Sequence, residues 1–153
     1  MIGRIAPKAL NGHKNILVTI DYFTKWVEAA SYFTLKAKHV AWFIENNIIC
    51  RFGVPQEIIS DNGFHFEGEV WRIMELYNIE HHKSSPYQPQ TNVAVEVANK
   101  NIKNILAKIV VTYKNWAKKL PFALWGYKTS ICASKCLLLK NVIFYNNKNL
   151  FLF

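Results

Sequence analysis

Asp61 and Glu96 are the two side chains whose types and setting suit chemistry on a phosphodiester. Asp61 follows a short β-branched run, Glu57-Ile58-Ile59-Ser60. Glu96 falls in the first turns of a long helical pattern that begins after the loop Pro86-Tyr87-Gln88-Pro89-Gln90. Two carboxylates carried on separate elements can converge on divalent metal. Two-metal phosphodiester chemistry needs hard oxygen donors that hold Mg²⁺ or Mn²⁺, a role carboxylates fill better than His or Cys. Taken singly, each residue has a plainer reading. Asp before Asn62-Gly63 is a turn residue, and Glu96 lies at i,i+4 from Lys100, an ordinary helical ion pair.

The elements that must position these groups are legible from periodicity. Ile16-Leu17-Val18-Thr19-Ile20 reads as a buried strand and Lys25 to Tyr32 as its hairpin partner. Val40, Phe43, Ile44 and Ile48 mark a helix from Lys36 to Arg51, with Thr34 available as a cap and Gly53 and Pro55 as its stop. Glu57 to Ser60 is a strand that ends at Asp61-Asn62-Gly63. Phe66, Val70, Met74 and Tyr77 then form one face of a helix. A strand near Ile79 to Lys83 leads into the Pro-rich loop. A long helix follows from about Asn92 to Tyr113, with Ala94, Ala98, Ile102, Ile105 and Ile109 as its buried stripe, and a last helix runs from Asn115 to about Thr129. The order of strands and helices predicts an α/β fold, with helices covering a mixed sheet.

Residue type, order and spacing together resemble the integrase catalytic core of gypsy-type LTR retrotransposons, within the retroviral integrase superfamily. The resemblance rests on Ile16 to Ala29 (ILVTIDYFTKWVEA), Phe52-Gly53-Val54-Pro55, Ser60-Asp61-Asn62-Gly63 with His65-Phe66, Ser85-Pro86-Tyr87 with Pro89-Gln90-Thr91-Asn92, Val95-Glu96 with Asn99-Lys100, and Leu120-Pro121 with Ala123-Leu124-Trp125. It covers nearly all of residues 2–129, and the 34 residues between Asp61 and Glu96 are one short of the family's usual interval. It implies a ribonuclease H-like mixed sheet flanked by helices, with Asp61 and Glu96 as catalytic residues and as ligands of Mg²⁺ or Mn²⁺ in a two-metal site. Lys100 and Lys103 would meet DNA phosphates, and Tyr87 and Asn92 would lie beside the reacting DNA end. The helical interval i, i+4, i+7 independently puts Glu96, Lys100 and Lys103 on one face. The activity implied is metal-dependent 3′-end processing and strand transfer. The alternative is a catalytically dead core remnant that binds DNA or pairs with full-length integrase. A ribonuclease of the same fold, or a cut-and-paste transposase, explains the carboxylates but not the Pro-Gln-Thr-Asn loop or the Trp26-Val27-Glu28-Ala29 hairpin.

The family's third carboxylate comes from its first strand, and Asp21 is the candidate that offers itself here. The 39 residues between Asp21 and Asp61 are far fewer than the family places between its two aspartates. ILVTIDYFTKWVEA resembles the family's second strand and hairpin, so the catalytic Asp would fall immediately before Met1. Asp21 is therefore read as a strand-end residue with a structural role, and the chain as nearly inactive. Val93 stands where the family has a hinge Gly, and Phe64 is large for its position. Beyond Thr129 the resemblance ends. The division expected is an N-terminally truncated core over 1–129 and a divergent C-terminal segment over 130–153.

Composition bounds the partners. Among 153 residues, 51% are apolar and 19% charged, which suits one globular domain. With 19 Lys and Arg against 10 Asp and Glu, the formal charge is +9, which favours a polyanion, DNA first. Cys50, Cys132 and Cys136 are an odd number, and no signal peptide opens the chain. An intracellular protein, nuclear or cytoplasmic and not secreted, is expected. The apolar stretch from Cys136 is broken by Lys140, Asn141 and Lys148, so no membrane span is expected. Zinc binding is not expected either, since Cys132 and Cys136 have no following His pair. Trp26, Trp42, Trp71, Trp116 and Trp125 read as core, and His81 and His82 as strand-end or surface residues. The family resemblance implies a homodimer through core helices.

Overall fold

The computed structural model describes residues 6–21, 24, 26–60, 66–83, 97, 100–101, 104–105, 108, 115–132 and 150–153. β1 (Asn15–Asp21) and β2 (Val27–Tyr32) form an antiparallel hairpin in which Ile20 faces Val27 and Asn15 faces Tyr32. β3 (Glu57–Ser60) and β4 (Glu80–Lys83) run parallel, with Ser60 opposite Lys83. Between the two pairs lies β5 (Leu150–Leu152), antiparallel to β1 and parallel to β3. The sheet order is β2-β1-β5-β3-β4, so the last strand of the chain is the central one.

Alternation along β1 divides the core between two faces. Ile16, Val18 and Ile20 join Trp116, Leu120 and Tyr127 of α4 (Trp116–Cys132), with Ile59 and Ile105 packed against that cluster. Leu17 and Ile58 point the other way and meet α1 (Ala37–Phe43) and α3 (Glu69–Leu76) through Val40, Phe43, Val70 and Met74. A fully buried Leu, Ile or Phe side chain contributes roughly 1.5–3 kcal/mol of transfer free energy, so both faces matter to stability. The mixed sheet flanked by helices is the α/β arrangement that the periodicity predicts.

Four details differ from the sequence reading. First, the helix after β2 does not use Thr34 as its cap. Lys36 occupies the N-cap, and its backbone N–H donates to His39 Nδ1 at 3.2 Å. Second, the helix is not α-helical throughout, since α1 passes into a π-helical stretch, Ile44–Ile49, before α2 (Cys50–Phe52). It ends at Gly53, whose φ of 88° suits a residue without Cβ. Third, the tryptophans are not uniformly core. Trp116 is 0% exposed, but Trp42, Trp71 and Trp125 are 56%, 48% and 68% exposed. Fourth, residues 150–152, which the sequence reading assigns to the divergent C-terminal segment, form a strand in the middle of the sheet. Among the described residues no helix is long and apolar enough to cross a membrane.

Candidate functional site

The candidate site is sought around the C-terminal end of β3, because Asp61 is the next residue in sequence. Ser60, the last residue of β3, is buried, and its Oγ shares a 2.8 Å hydrogen bond with His81 Nε2 on β4. The His81 ring stacks on Phe66 at a centroid distance of 6.3 Å and meets the edge of Trp71 at 5.5 Å. One imidazole therefore holds both residues that flank positions 61–65: Ser60 before them and Phe66 after. Burial lowers the His81 pKa, and the charges of Lys83 and His82 lower it further. The neutral ring is thus the form built into the site. The sequence reading of His81 as a strand-end or surface residue is corrected here. The available signal was a His in register with a buried β3 partner, and register is not visible in one sequence.

The helical residues Val97, Lys100, Asn101, Asn104, Ile105 and Lys108 belong to the pattern that Glu96 precedes. Ile105 packs on the same cluster as Ile59 of β3, so this helix and β3 share one face of the sheet. Lys100 is exposed, as a residue that meets a phosphate must be. Asp61, Glu96, Lys103, Tyr87 and Asn92 lie outside the described residues. Both candidate metal ligands are carboxylates, so the donor chemistry fits Mg²⁺ or Mn²⁺. Among the described residues no group of three His, Cys, Asp or Glu side chains is gathered to hold a metal.

Asp21 ends β1 and is buried. Its Oδ2 accepts hydrogen bonds from the Thr24 hydroxyl and, at 3.2 Å, from the Thr24 backbone N–H, while its own N–H donates to the Trp26 carbonyl at 2.8 Å. Thr24 Oγ1 in turn accepts from the Trp26 N–H at 3.2 Å. This is a side chain closing its own turn, a common task for Asp. The register carries Asp21 away from the end of β3, since Asp21 faces Phe151, which faces Ile58, two rows before Ser60. At about 3.3 Å per row and about 4.8 Å per strand, Asp21 and Ser60 have Cα atoms roughly 12 Å apart. Asp21 also has the parity of Leu17 and so lies on the α1/α3 face, opposite the face that Ile59 and Ile105 share.

Glu28 is a charged residue whose role the sequence did not reveal. It is buried on β2. Its Oε1 accepts from Trp26 Nε1 at 2.7 Å and Lys128 Nζ at 3.2 Å, and its Oε2 accepts from Arg51 Nη1 at 2.9 Å. Lys128 Nζ also sits 3.8 Å from the centre of the Trp26 ring. The cluster ties β2 to α2 and α4 and supports the hairpin from behind.

Comparison with known proteins places this geometry. The family model of the integrase core domain matches residues 3–89, a span that includes Asp61 but stops before Glu96. The Gag-Pol polyprotein of Avian reticuloendotheliosis virus is 36% identical over 118 residues, and the Pol polyprotein of Radiation murine leukemia virus (strain Kaplan) is 35% identical over 119; each alignment takes 76% of this chain. The chain spans 10% and 20% of the length of those two relatives. Among solved structures, the catalytic core domain of BIV integrase aligns with a TM-score of 0.64 at 27% identity, over 76% of both chains. A chain of the simian T-cell lymphotropic virus intasome, solved with PP2A regulatory subunit B56 gamma, aligns with a TM-score of 0.65 at 25% identity, over 77% of this chain and 43% of that one. The sheet described above is therefore the ribonuclease H-like fold of integrase catalytic cores, and the chain belongs to the integrase core domain family.

Proposed function

We propose that this chain is most of the catalytic core of an integrase from a gypsy-type LTR retrotransposon, and that its site acts on DNA ends. The observation that carries the reading is the end of β3. In a core of this family, Ser60 is locked by His81 immediately before Asp61, on an inner strand whose face is shared with the helix that Glu96 precedes. Asp61 and Glu96 hold the divalent metals. When bound, Mg²⁺ or Mn²⁺ supplies Lewis acidity for phosphodiester cleavage and transfer. Lys100 and Lys103 neutralise DNA phosphates, and Tyr87 and Asn92 orient the DNA end. The same core pairs with a second copy through its helices and works inside the cell, in nucleus or cytoplasm.

A second reading, a non-catalytic core that binds DNA or pairs with a complete integrase, is favoured by one observation. The positions flanking the end of β3 are His82 and Lys83 on β4, and Leu152 and Phe153 on the other side. None is a carboxylate, and Asp21 is two rows and two strands away. Loss of a metal ligand should cost more than loss of one oxyanion donor, itself on the order of 10²–10³ in rate.

The test is Mn²⁺-dependent strand transfer run in reverse on a branched DNA substrate, with three proteins: this chain, its Asp61→Asn variant, and a version extended upstream by an Asp-bearing strand. Activity in the extended version alone, abolished by Asp61→Asn, supports the site and the non-catalytic reading of this chain. Activity in the unextended chain that Asp61→Asn removes supports the site and rejects the second reading. Activity indifferent to Asp61→Asn rejects the site.

A further inference from the structure

The central position of the sheet is filled by four residues from the far end of the chain, and the physical consequences of that placement reach beyond the family assignment. β5 pairs Leu150, Phe151 and Leu152 with Glu57, Ile58 and Ile59, and the Phe153 N–H continues the ladder to the Ile59 carbonyl at 2.9 Å. On its other edge, Leu152 and Phe151 face Ile20 and Asp21. The strand is the sole described link between the β1/β2 hairpin and the β3/β4 pair within the sheet. Phe151 and Phe153 are 2% and 6% exposed. Phe153 meets the edges of Phe43 and Phe66 at centroid distances of 6.2 and 5.6 Å, and Phe151 lies 6.2 Å from Phe52. These aromatic partners belong to α1, α2 and the turn before α3, so one face of the slot is an apolar pocket shaped for ring side chains.

We propose that the gap between β1 and β3 is a strand-docking site. Its ligand is an extended apolar peptide with aromatic residues at alternate positions, and here Leu150–Phe153 is that ligand, bound in cis. Alternation supplies specificity, because i reaches Phe52 and i+2 reaches the Phe43/Phe66 pocket on the same face, and the ladder to both neighbours supplies affinity. This is strand addition at an interior position, where both edges are paired, instead of at the border of a sheet. The proposal stands apart from DNA chemistry, so it can fail while the proposed function survives.

The test uses the full chain and two measurements. Hydrogen exchange read by mass spectrometry should show the amides of Phe151, Leu152 and Phe153 protected to the same degree as those of β3. Exchange of these amides at unstructured rates, with β1 and β2 still protected, overturns the proposal whatever the variants do. The second measurement compares Phe151→Asp and Phe153→Asp with Phe122→Asp, whose parent side chain is exposed. The first two should lose roughly 10 °C or more of Tm, and Phe122→Asp should lose little. A fluorescent peptide of residues 147–153 should then bind the Phe151→Asp chain saturably and wild type at least tenfold more weakly, because its slot is filled. Equal binding to both chains means general apolar adhesion and overturns the docking site.

Discussion

Replacing Glu28 tests whether the hairpin is held by a buried charge or by apolar packing alone. The Glu28 side chain is 6% exposed, while its partners Lys128 and Arg51 are 20% and 48% exposed. The three contacts therefore differ in worth. The Arg51 arm is half in water and should contribute about 0.5 kcal/mol, as surface pairs do. The Lys128 arm and the Trp26 N–H bond both end on a desolvated carboxylate and should contribute about 1.5 kcal/mol each. Glu28→Ala is thus expected to cost about 3.5 kcal/mol, within the range for breaking a buried pair, because Lys128 stays largely buried without its counter-ion. Glu28→Gln keeps an acceptor for the indole and should cost about 2 kcal/mol, and Arg51→Ala under about 1 kcal/mol. Guanidinium denaturation with a double-mutant cycle over Glu28→Gln and Lys128→Met reads the coupling directly. A Glu28–Lys128 coupling below about 0.5 kcal/mol, or a Glu28–Arg51 coupling that exceeds it, would refute the ranking by burial.

Three further outcomes are expected. The His81 pKa is lowered in the folded chain, so the unfolded state binds the proton more readily. The contribution of neutral His81 is then complete above the ordinary histidine pKa of about 6.5 and falls as pH drops below it toward the folded value. Tm measured from pH 7.5 to 5 should decline less steeply in His81→Gln than in wild type, and identical slopes would count against a buried neutral ring. Lys100→Ala should weaken DNA binding at every sequence tested and reduce the salt slope by about 1 in log–log terms; an unchanged slope in a fluorescence-anisotropy titration would remove Lys100 from the interface. Asp21→Asn should lower stability by about 1 kcal/mol through the Thr24 hydrogen bonds and leave Mn²⁺ affinity, measured by calorimetry, unaltered. A parallel loss of Mn²⁺ binding would return Asp21 to the metal site.

Local pattern carried much of the fold. Glu57-Ile58-Ile59-Ser60 was readable as a strand to the residue, because a β-branched run was bounded by Pro55 and by the Asp61-Asn62-Gly63 turn signal. Val70 and Met74 were readable as a buried stripe because their spacing is helical. What escaped depends on partners distant in sequence. Glu28 looked like an ordinary strand residue until Arg51 and Lys128, 23 and 100 positions away, came to it. Trp42 and Trp71 are large and apolar, yet their helices turn them outward, and composition cannot say which face has a neighbour. Leu150 to Phe153 has the alternation of neither an amphipathic strand nor a helix, and its place in the sheet is set by the gap it fills, a tertiary property.

For the site, sequence identified residue types and the structure supplied rows. Under the proposed function, a third ligand beside Asp61 would lie on a strand next to β3 and near the row of Ser60, which excludes most carboxylates without reference to their chemistry. Phe153 continues the row of Ser60, but its ring is buried against Phe43 and Phe66 on the α1/α3 face, whereas Ile59 and Ile105 define the opposite face. An acid placed at 153 would therefore be buried in an apolar pocket, with its charge disfavoured and its pKa raised, instead of binding a cation. Under the proposed function, a third carboxylate would thus come from a different strand in the slot, on the face of Ile59. That is why the upstream extension, and not a point substitution in β5, is the informative change for activity.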